Sequence, residues 1–230
     1  MTHVLLFDVD MTLINSGGAG SRGMRLAFEK LYGIEDGFRR TEFSGRTDQQ
    51  ILRSAMEDHG LLRGPDAFAG ELARFQEVYF GILPQTLREA DGRVLPGVAE
   101  LLAALTARER VRLGLATGNF RRAAFMKLGH LGIDSFFAEG GFADDAEDRG
   151  EMVGVAIARL ANGAGAADVW VIGDTLLDIA AARSNGVRVL GVATGPLSVE
   201  ELREAGADAA FEDLSDTAAV LSALLDGAAK

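Results

Sequence analysis

The chain has no cysteine, which excludes disulfides, thiolate metal sites and thiol nucleophiles together. Histidine is almost as scarce, with three residues at positions 3, 59 and 130, so a histidine-built metal centre is not expected. Positive charge is outweighed: 23 Lys and Arg against 34 Asp and Glu leave a formal charge of −11. A nucleic-acid or anionic-membrane surface needs clustered cations, so neither partner is expected. No apolar run reaches the length of a membrane-spanning helix. The first apolar run has no basic segment ahead of it and is cut short by two aspartates, unlike a secretory leader. The expectation is a soluble, cytoplasmic protein. What is present is ample for a packed core: 230 residues, 48% of them hydrophobic and 25% charged.

The apolar run from Val4 to Phe7 delivers two carboxylates, Asp8 and Asp10, with Thr12 just beyond. Short runs of this kind predict a buried strand of a parallel sheet. Ligands of open α/β sheets bind beyond the carboxyl ends of such strands, which is where Asp8 falls. Two acids that close repel each other, and their burial calls for a cation. The alternative is a strand followed by an ordinary acidic turn. Thr12 is open to bonding either the loop backbone or a transferring oxygen.

Residues 15–93 have another character. Asn15 to Gly20 is a flexible turn cluster, and helical spacing follows: Met24, Ala27, Phe28 and Leu31 share one face, and Phe68, Leu72, Phe75 and Tyr79 another. No strand is predicted in this section. From residue 94 strands and helices alternate. Strands are predicted at 111–116, 169–172 and 187–192, with a short one at 136–138. Helices are predicted over 98–105, 120–131, 151–160 and 176–183, and a small-residue loop over 162–167. The alternation implies a parallel sheet covered on both faces. The expected fold class is α/β: a Rossmann-like three-layer core from 1–14 and 94–230, with a helical cap inserted over 15–93.

Polar residues fall at or just after the ends of apolar runs in four places. These are Asp8 with Asp10, Thr117-Gly118-Asn119, the stretch holding Arg149, and Gly173-Asp174 with Asp178. In this order, with a helical insert after the first, they resemble the haloacid dehalogenase-like superfamily. The phosphoglycolate phosphatase-like and β-phosphoglucomutase-like members are the nearest in pattern. The resemblance implies a phosphatase that acts on a small phosphorylated metabolite through an aspartyl-phosphate. It makes Asp8 the nucleophile and Asp10 the general acid and base. Thr117, Gly118 and Asn119 would bind phosphate beside a helix N-terminus. Read alone, Thr117 and Asn119 also suit a plain helix cap. Mg²⁺ is the implied cofactor, held by Asp8, the Asp10 carbonyl and Asp174, with Asp178 a ligand or an anchor behind it.

Two positions depart from the pattern. Met11 stands where relatives usually carry Gly. The third motif usually has a Lys, but the only lysines here are 30, 127 and 230. Arg149, just ahead of a predicted helix, takes the Lys's place; its fork suits phosphate and carboxylate oxygens. The alternative is a pairing of Arg149 with the acids at 144–148, themselves read as a solvated loop. Arg159, late in that helix, reads as a solvated face.

In the insert, Phe43-Ser-Gly-Arg46-Thr47-Asp48 precedes a helix. Arg46 is the candidate for a second anionic group of the substrate, with Arg39 and Arg40 behind it. Thr47 or Asp48 reads as a plain helix cap. Phe28, Tyr32, Phe68, Phe75, Tyr79 and Phe80 read as the insert's own core. The turns near 15–20 and 91–96 suggest hinges that let the insert close and exclude water. A phosphosugar mutase is the alternative activity, and an inactive binding or regulatory homologue a third.

Overall fold

The computed structural model describes residues 2–64, 67–161 and 165–227. Its centre is a six-stranded sheet in the order β5-β4-β1-β6-β7-β8. The strands are β1 (His3–Phe7), β4 (Val111–Ala116), β5 (Gly140–Gly141), β6 (Val169–Gly173), β7 (Arg188–Val192) and β8 (Ala209–Phe211). Every neighbouring pair is parallel. β1 lies in the middle, Leu5 opposite Leu113 on one side and Trp170 on the other. Parallel strands need crossovers, and the helices that supply them cover both faces.

The alternation of side chains along β1 sorts the core in two. Leu5 and Phe7 enter one cluster, with Leu101, Leu102 and Leu105 of α4 (Val98–Thr106) and Leu128 of α5 (Arg121–His130). Val4 and Leu6 enter the other, with Met152, Val153 and Ala156 of α6 (Arg149–Leu160) and Ile179 of α7 (Leu176–Ser184). Two short helices, α8 (Val199–Glu204) and α9 (Thr217–Ser222), complete the layers.

Between the first strand and α4 lie α1 (Ala19–Tyr32), α2 (Asp48–Asp58) and α3 (Ala67–Glu89). Their shared core holds Phe28, Phe68, Phe75 and Tyr79, with Tyr32 and Phe80 packed against it. That core reaches the sheet's helices through Phe120 and Ala123. A two-residue ribbon joins the approaches to this helical layer: β2 (Ile14–Asn15) pairs antiparallel with β3 (Arg93–Val94). No helix among the described residues is long and apolar enough to cross a membrane.

The expected strand at 136–138 is not formed. Asp134–Phe136 is a 3-10 turn, and the edge strand falls at Gly140–Gly141. Phe137 is buried from the turn, so the aromatic run records packing rather than pairing. The strand itself is hidden because Gly is a poor strand former. Close approach explains its presence: a Cβ on Gly140 would lie 2.3 Å from the Leu115 carbonyl oxygen. The absence of strand around 15–93 also needs correction, since Asn15 and Arg93 pair. Of the expected loop at 162–167, residues 162–164 lie outside the described residues, and Ala166–Asp168 is a 3-10 turn. β8, α8 and α9 had no strong sequence period and were not anticipated.

Candidate active site

Three adjacent strands end at the same rim. Asp8 follows β1, Thr117 follows β4 and Asp174 follows β6. Asp8 N–H donates to the Ile172 carbonyl at 2.9 Å, and Thr117 N–H to that of Gly141 at 3.1 Å, so both are fixed by continuing ladders. β1 has its neighbours' crossovers leaving on opposite sides, which opens a crevice at its carboxyl end. The chain then turns back tightly: the Val9 carbonyl accepts from Leu13 N and Ile14 N, both at 3.0 Å. The turn places Met11 at φ 60, a left-handed value that a non-glycine residue adopts only when held. The holding bonds are Met11 N–H to the Ile14 carbonyl at 2.7 Å and the Thr194 hydroxyl to the Met11 carbonyl.

Asp8, Asp174 and Asp178 each offer an oxygen within 4.8 Å of the others, and all three are buried. Crowding shows in their proton affinity. Burial, opposed by Arg149 and reinforced by Asp178, pushes Asp8 up to about 6. Burial and the neighbouring Asp8 push Asp174 up to about 8. Thr12 donates to neither the loop backbone nor open space; its hydroxyl lies 3.4 Å from Asp174 Oδ1.

Arg149 is the cation of this group. Its Nη2 lies 3.1 Å from Asp8 Oδ2 and 2.6 Å from Asp178 Oδ1, and Nη1 donates to the Gly45 carbonyl at 2.9 Å. It is the first residue of α6 rather than just ahead of it, with Asp148 as the N-cap. The acids at 144–148 are not its partners. Arg159 takes Asp145 through two bonds of 2.7 and 2.6 Å, so it is no free face residue. Glu147 pairs with Arg53 at 2.7 Å, and Asp144 accepts from Arg121 N–H at 2.5 Å. The acidic loop is therefore a set of fasteners.

Asp178 has little spare capacity. Its Oδ2 accepts from Thr175 N–H at 3.1 Å and from the Thr175 hydroxyl at 2.6 Å, closing a capping box at the start of α7. Its Oδ1 holds Arg149.

Asp10 faces the opposite wall. Ser16 Oγ donates to its Oδ1 at 2.9 Å; Asn119 Nδ2, at 2.9 Å, and Lys127 Nζ, at 2.5 Å, donate to its Oδ2. Burial works against its charge, but Lys127, Asn119 and Ser16 together hold the carboxyl below its usual range. Asn119 Nδ2 also donates to Thr117 Oγ1 at 2.8 Å. The two side chains are thus tied to each other and to Asp10, and neither caps α5, whose N-cap is Phe120.

Two N–H groups at the start of α5 are taken by carboxylates of the chain itself. Phe120 N–H donates to Asp48 Oδ2 at 2.8 Å, and Arg121 N–H donates to Asp144. Gly118 is also engaged: its carbonyl accepts from Asp48 N–H at 2.6 Å, and a Cβ on it would lie 2.4 Å from the Arg46 carbonyl oxygen. Thr47, not Asp48, caps α2 in a capping box with Gln50.

These groups line a cavity of about 270 Å³ between sheet rim and helical layer, at the small end for ligand sites. Arg46 reaches it, holding Glu42 only loosely at 3.7 Å. Arg39 and Arg40 are exposed elsewhere. Asp48 and Lys127 line it too, and neither was picked out from sequence. Lys127 did leave a signal: it occupies the buried stripe of α5 with Ala123, Ala124 and Leu128. A lone lysine at a core position is more informative than any surface cation.

Burial pushes Asp48 up to about 7, with Lys127 opposing and Asp10 and Asp144 reinforcing the rise. An acid whose affinity for protons is higher when folded loses stability as pH climbs from about 4 through 7, at about 1.4 kcal/mol per pH unit. Asp48→Asn keeps the acceptor for Phe120 N–H and removes the charge. Its melting temperature should exceed the wild type's at pH 8 and converge with it near pH 4. A constant difference across that range would exclude Asp48 as the source.

With this geometry the chain belongs to the haloacid dehalogenase-like hydrolase family, whose profile matches residues 5–192. It is 27% identical over 237 residues to "Probable phosphatase IndB" of Dickeya dadantii, across 98% of this chain and 96% of that protein. It is 29% identical over 222 residues to the phosphoglycolate phosphatase of Rhodospirillum rubrum, across 94% and 89%. The fold matches the crystal structure of a hydrolase from Pseudomonas syringae with a TM-score of 0.71 at 24% identity, covering 100% of both chains.

Proposed function

We propose that this chain is a Mg²⁺-dependent phosphomonoesterase for a small acidic organic phosphate, with Asp8 as nucleophile. The carrying observation is the placement of Asp8: buried at the end of the central strand, against Arg149 on one side and the carboxylate cluster on the other. The relatives' names support the same reaction class. We take residues 15–93 as a cap over a core made of 1–14 and 94–230.

The carboxylate cluster fits a hard divalent cation, because buried acids with raised proton affinity are relieved by one. Asp8, Asp174 and the Asp10 main-chain carbonyl would hold it. Asp178, with both oxygens committed, serves as the anchor of Arg149. When bound, the ion neutralises the transferring group and the acids around it.

In the reaction, an Asp8 oxygen bonds to phosphorus as the ester P–O bond breaks. Arg149 steadies the charge that spreads over the phosphoryl oxygens. The Asp10 carboxyl group gives its proton to the leaving oxygen, and its carboxylate then takes one from the water that cleaves the aspartyl-phosphate. Asp10 is ionised in the resting site, and the negative charge of an incoming phosphoryl group favours its protonation. Thr117 and Asn119 are the phosphate-binding side chains, and Gly118 sets their loop. Arg46 stands where a second anionic group of a phosphoglycolate-like substrate would lie.

The test is phosphate release from phosphoglycolate, hexose phosphates and nucleoside monophosphates, with Mg²⁺ and with chelator. Release that depends on metal and favours the smallest acidic ester is expected. Silence across the panel from folded protein would overturn the phosphatase reading, and metal-independent release would overturn the cofactor.

A further inference from the structure

An ammonium group is buried only at a cost unless it is paired and hydrogen-bonded. Lys127 is 4% exposed, and its Nζ lies 2.5 Å from both Asp10 Oδ2 and Asn119 Oδ1. Because Asn119 Nδ2 returns to the same Asp10 oxygen at 2.9 Å, the three side chains close a ring. Ser16 holds the other oxygen from across the turn. Asp10 thus has no free swing: one oxygen is fixed by an amide and an ammonium together.

Room for the lysine comes from the helical layer. Gly20 lies in the first turn of α1, and a Cβ on it would sit 2.8 Å from Lys127 Nζ and 3.0 Å from Cε. Glycine weakens a helix by up to about 1 kcal/mol relative to alanine. At position 20 the missing methyl is what admits the ammonium.

We propose that Lys127 is a positioning residue for proton transfer. With Asn119 it aims the Asp10 carboxyl group at the ester oxygen of the substrate, and Gly20 keeps its seat open. The proposal rests on Asp10 being the acid of the reaction. Protonation matters most when the leaving alkoxide is a strong base, and little when a stable phenolate departs. A residue that acts through Asp10 must therefore show itself in the dependence on leaving group, whereas a merely structural role would lower both rates alike.

The experiment compares kcat/KM, which reads phosphoryl transfer to Asp8 and not the later water step common to both esters, for the best alkyl phosphate of the panel and for p-nitrophenyl phosphate, in the wild type, Asp10→Asn, Lys127→Met and Gly20→Ala. General acid–base groups contribute about 10²–10⁴-fold, so Asp10→Asn should lose on that order in kcat/KM for the alkyl ester and far less for the phenyl ester. Lys127→Met should show the same selectivity, with at least about tenfold more loss of kcat/KM on the alkyl ester than on the phenyl ester. Gly20→Ala retains the lysine and crowds only its flexible tip, the Tyr79 hydroxyl lying at an ordinary contact distance of 3.6 Å, so the fold is kept and the selectivity should reappear. Equal losses on both esters in Lys127→Met and Gly20→Ala, with Asp10→Asn still selective, would overturn the role of Lys127 and leave that of Asp10 standing. No selectivity in Asp10→Asn would remove Asp10 as the acid, and the proposal with it.

Discussion

Asp8→Asn should reduce phosphate release on the order of 10⁴-fold or more, the scale on which enzymes lose rate with their nucleophile. The substitution is nearly isosteric. It keeps an oxygen for Arg149 at the position now 3.1 Å from Nη2, but an amide does not attack phosphorus. It also relieves the crowding that pushes Asp8 up to about 6, so the variant should be at least as stable as the wild type above that pH. Those two results belong together: a folded, stabilised and silent protein. Mass spectrometry after rapid quenching should find a phosphoryl group on Asp8 in the wild type and none in the variant. Release at the wild-type rate would remove Asp8 as nucleophile.

Arg149→Ala should damage both stability and turnover. Arg149 and Asp178 are buried, and Asp8 lies against the same guanidinium. Removing one partner of such a group leaves charge without compensation, at about 3–5 kcal/mol. Turnover should fall on the order of 10²-fold or more, since the cation that faces developing charge is gone. Arg149→Lys should recover only part, because a point-like ammonium lacks the planar fork that meets Asp8 and Asp178 through one nitrogen and the Gly45 carbonyl through the other. Arg159→Ala is the comparison. Its pair with Asp145 is partly exposed, so it should cost about 1 kcal/mol or less and leave turnover near normal. Urea denaturation and kcat/KM measure both. If Arg159→Ala proved the more harmful in turnover, the third motif would move to Arg159.

What the sequence announced were groups at the ends of apolar strands. Asp8 and Asp174 follow Phe7 and Gly173 so directly that strand placement alone brings them to one rim. Arg149 is legible as the cation at the start of a helix, in the place of the pattern's Lys. Its partners are not, because an arginine among four nearby acids gives no sign that it reaches past them to Asp8 and Asp178. The acids' own partners, Arg53, Arg121 and Arg159, come from three different helices, and only folding selects among such pairs. Asp48 reads as a helix cap because it stands at a helix start; folded, its carboxylate instead accepts from the N–H of Phe120, the N-cap of α5. The Gly140–Gly141 edge strand was invisible for a reason opposite to that of Lys127. The glycines carry too little side chain to signal pairing, whereas the lysine's charge masked its place in a buried stripe.

The ribbon of Ile14 with Val94 and Asn15 with Arg93 has a consequence for how this molecule can change. The chain leaves toward its three long helices and comes back at one point, with departure and return hydrogen-bonded to each other. Whatever lies between is a loop already closed at its base. Its length and content can be exchanged without altering the register of β1 against β4 or β6. A chimera that carries another helical segment between residues 15 and 93 would therefore keep the strand register that brings Asp8, Thr117 and Asp174 to one rim. It would lose Ser16, which holds Asp10, Gly20, which seats Lys127, Gly45, which accepts from Arg149, and Asp48, which binds the loop at Gly118. The nucleophile is thus transplantable, while the aim of the acid opposite it belongs to the pairing of this sheet with these helices.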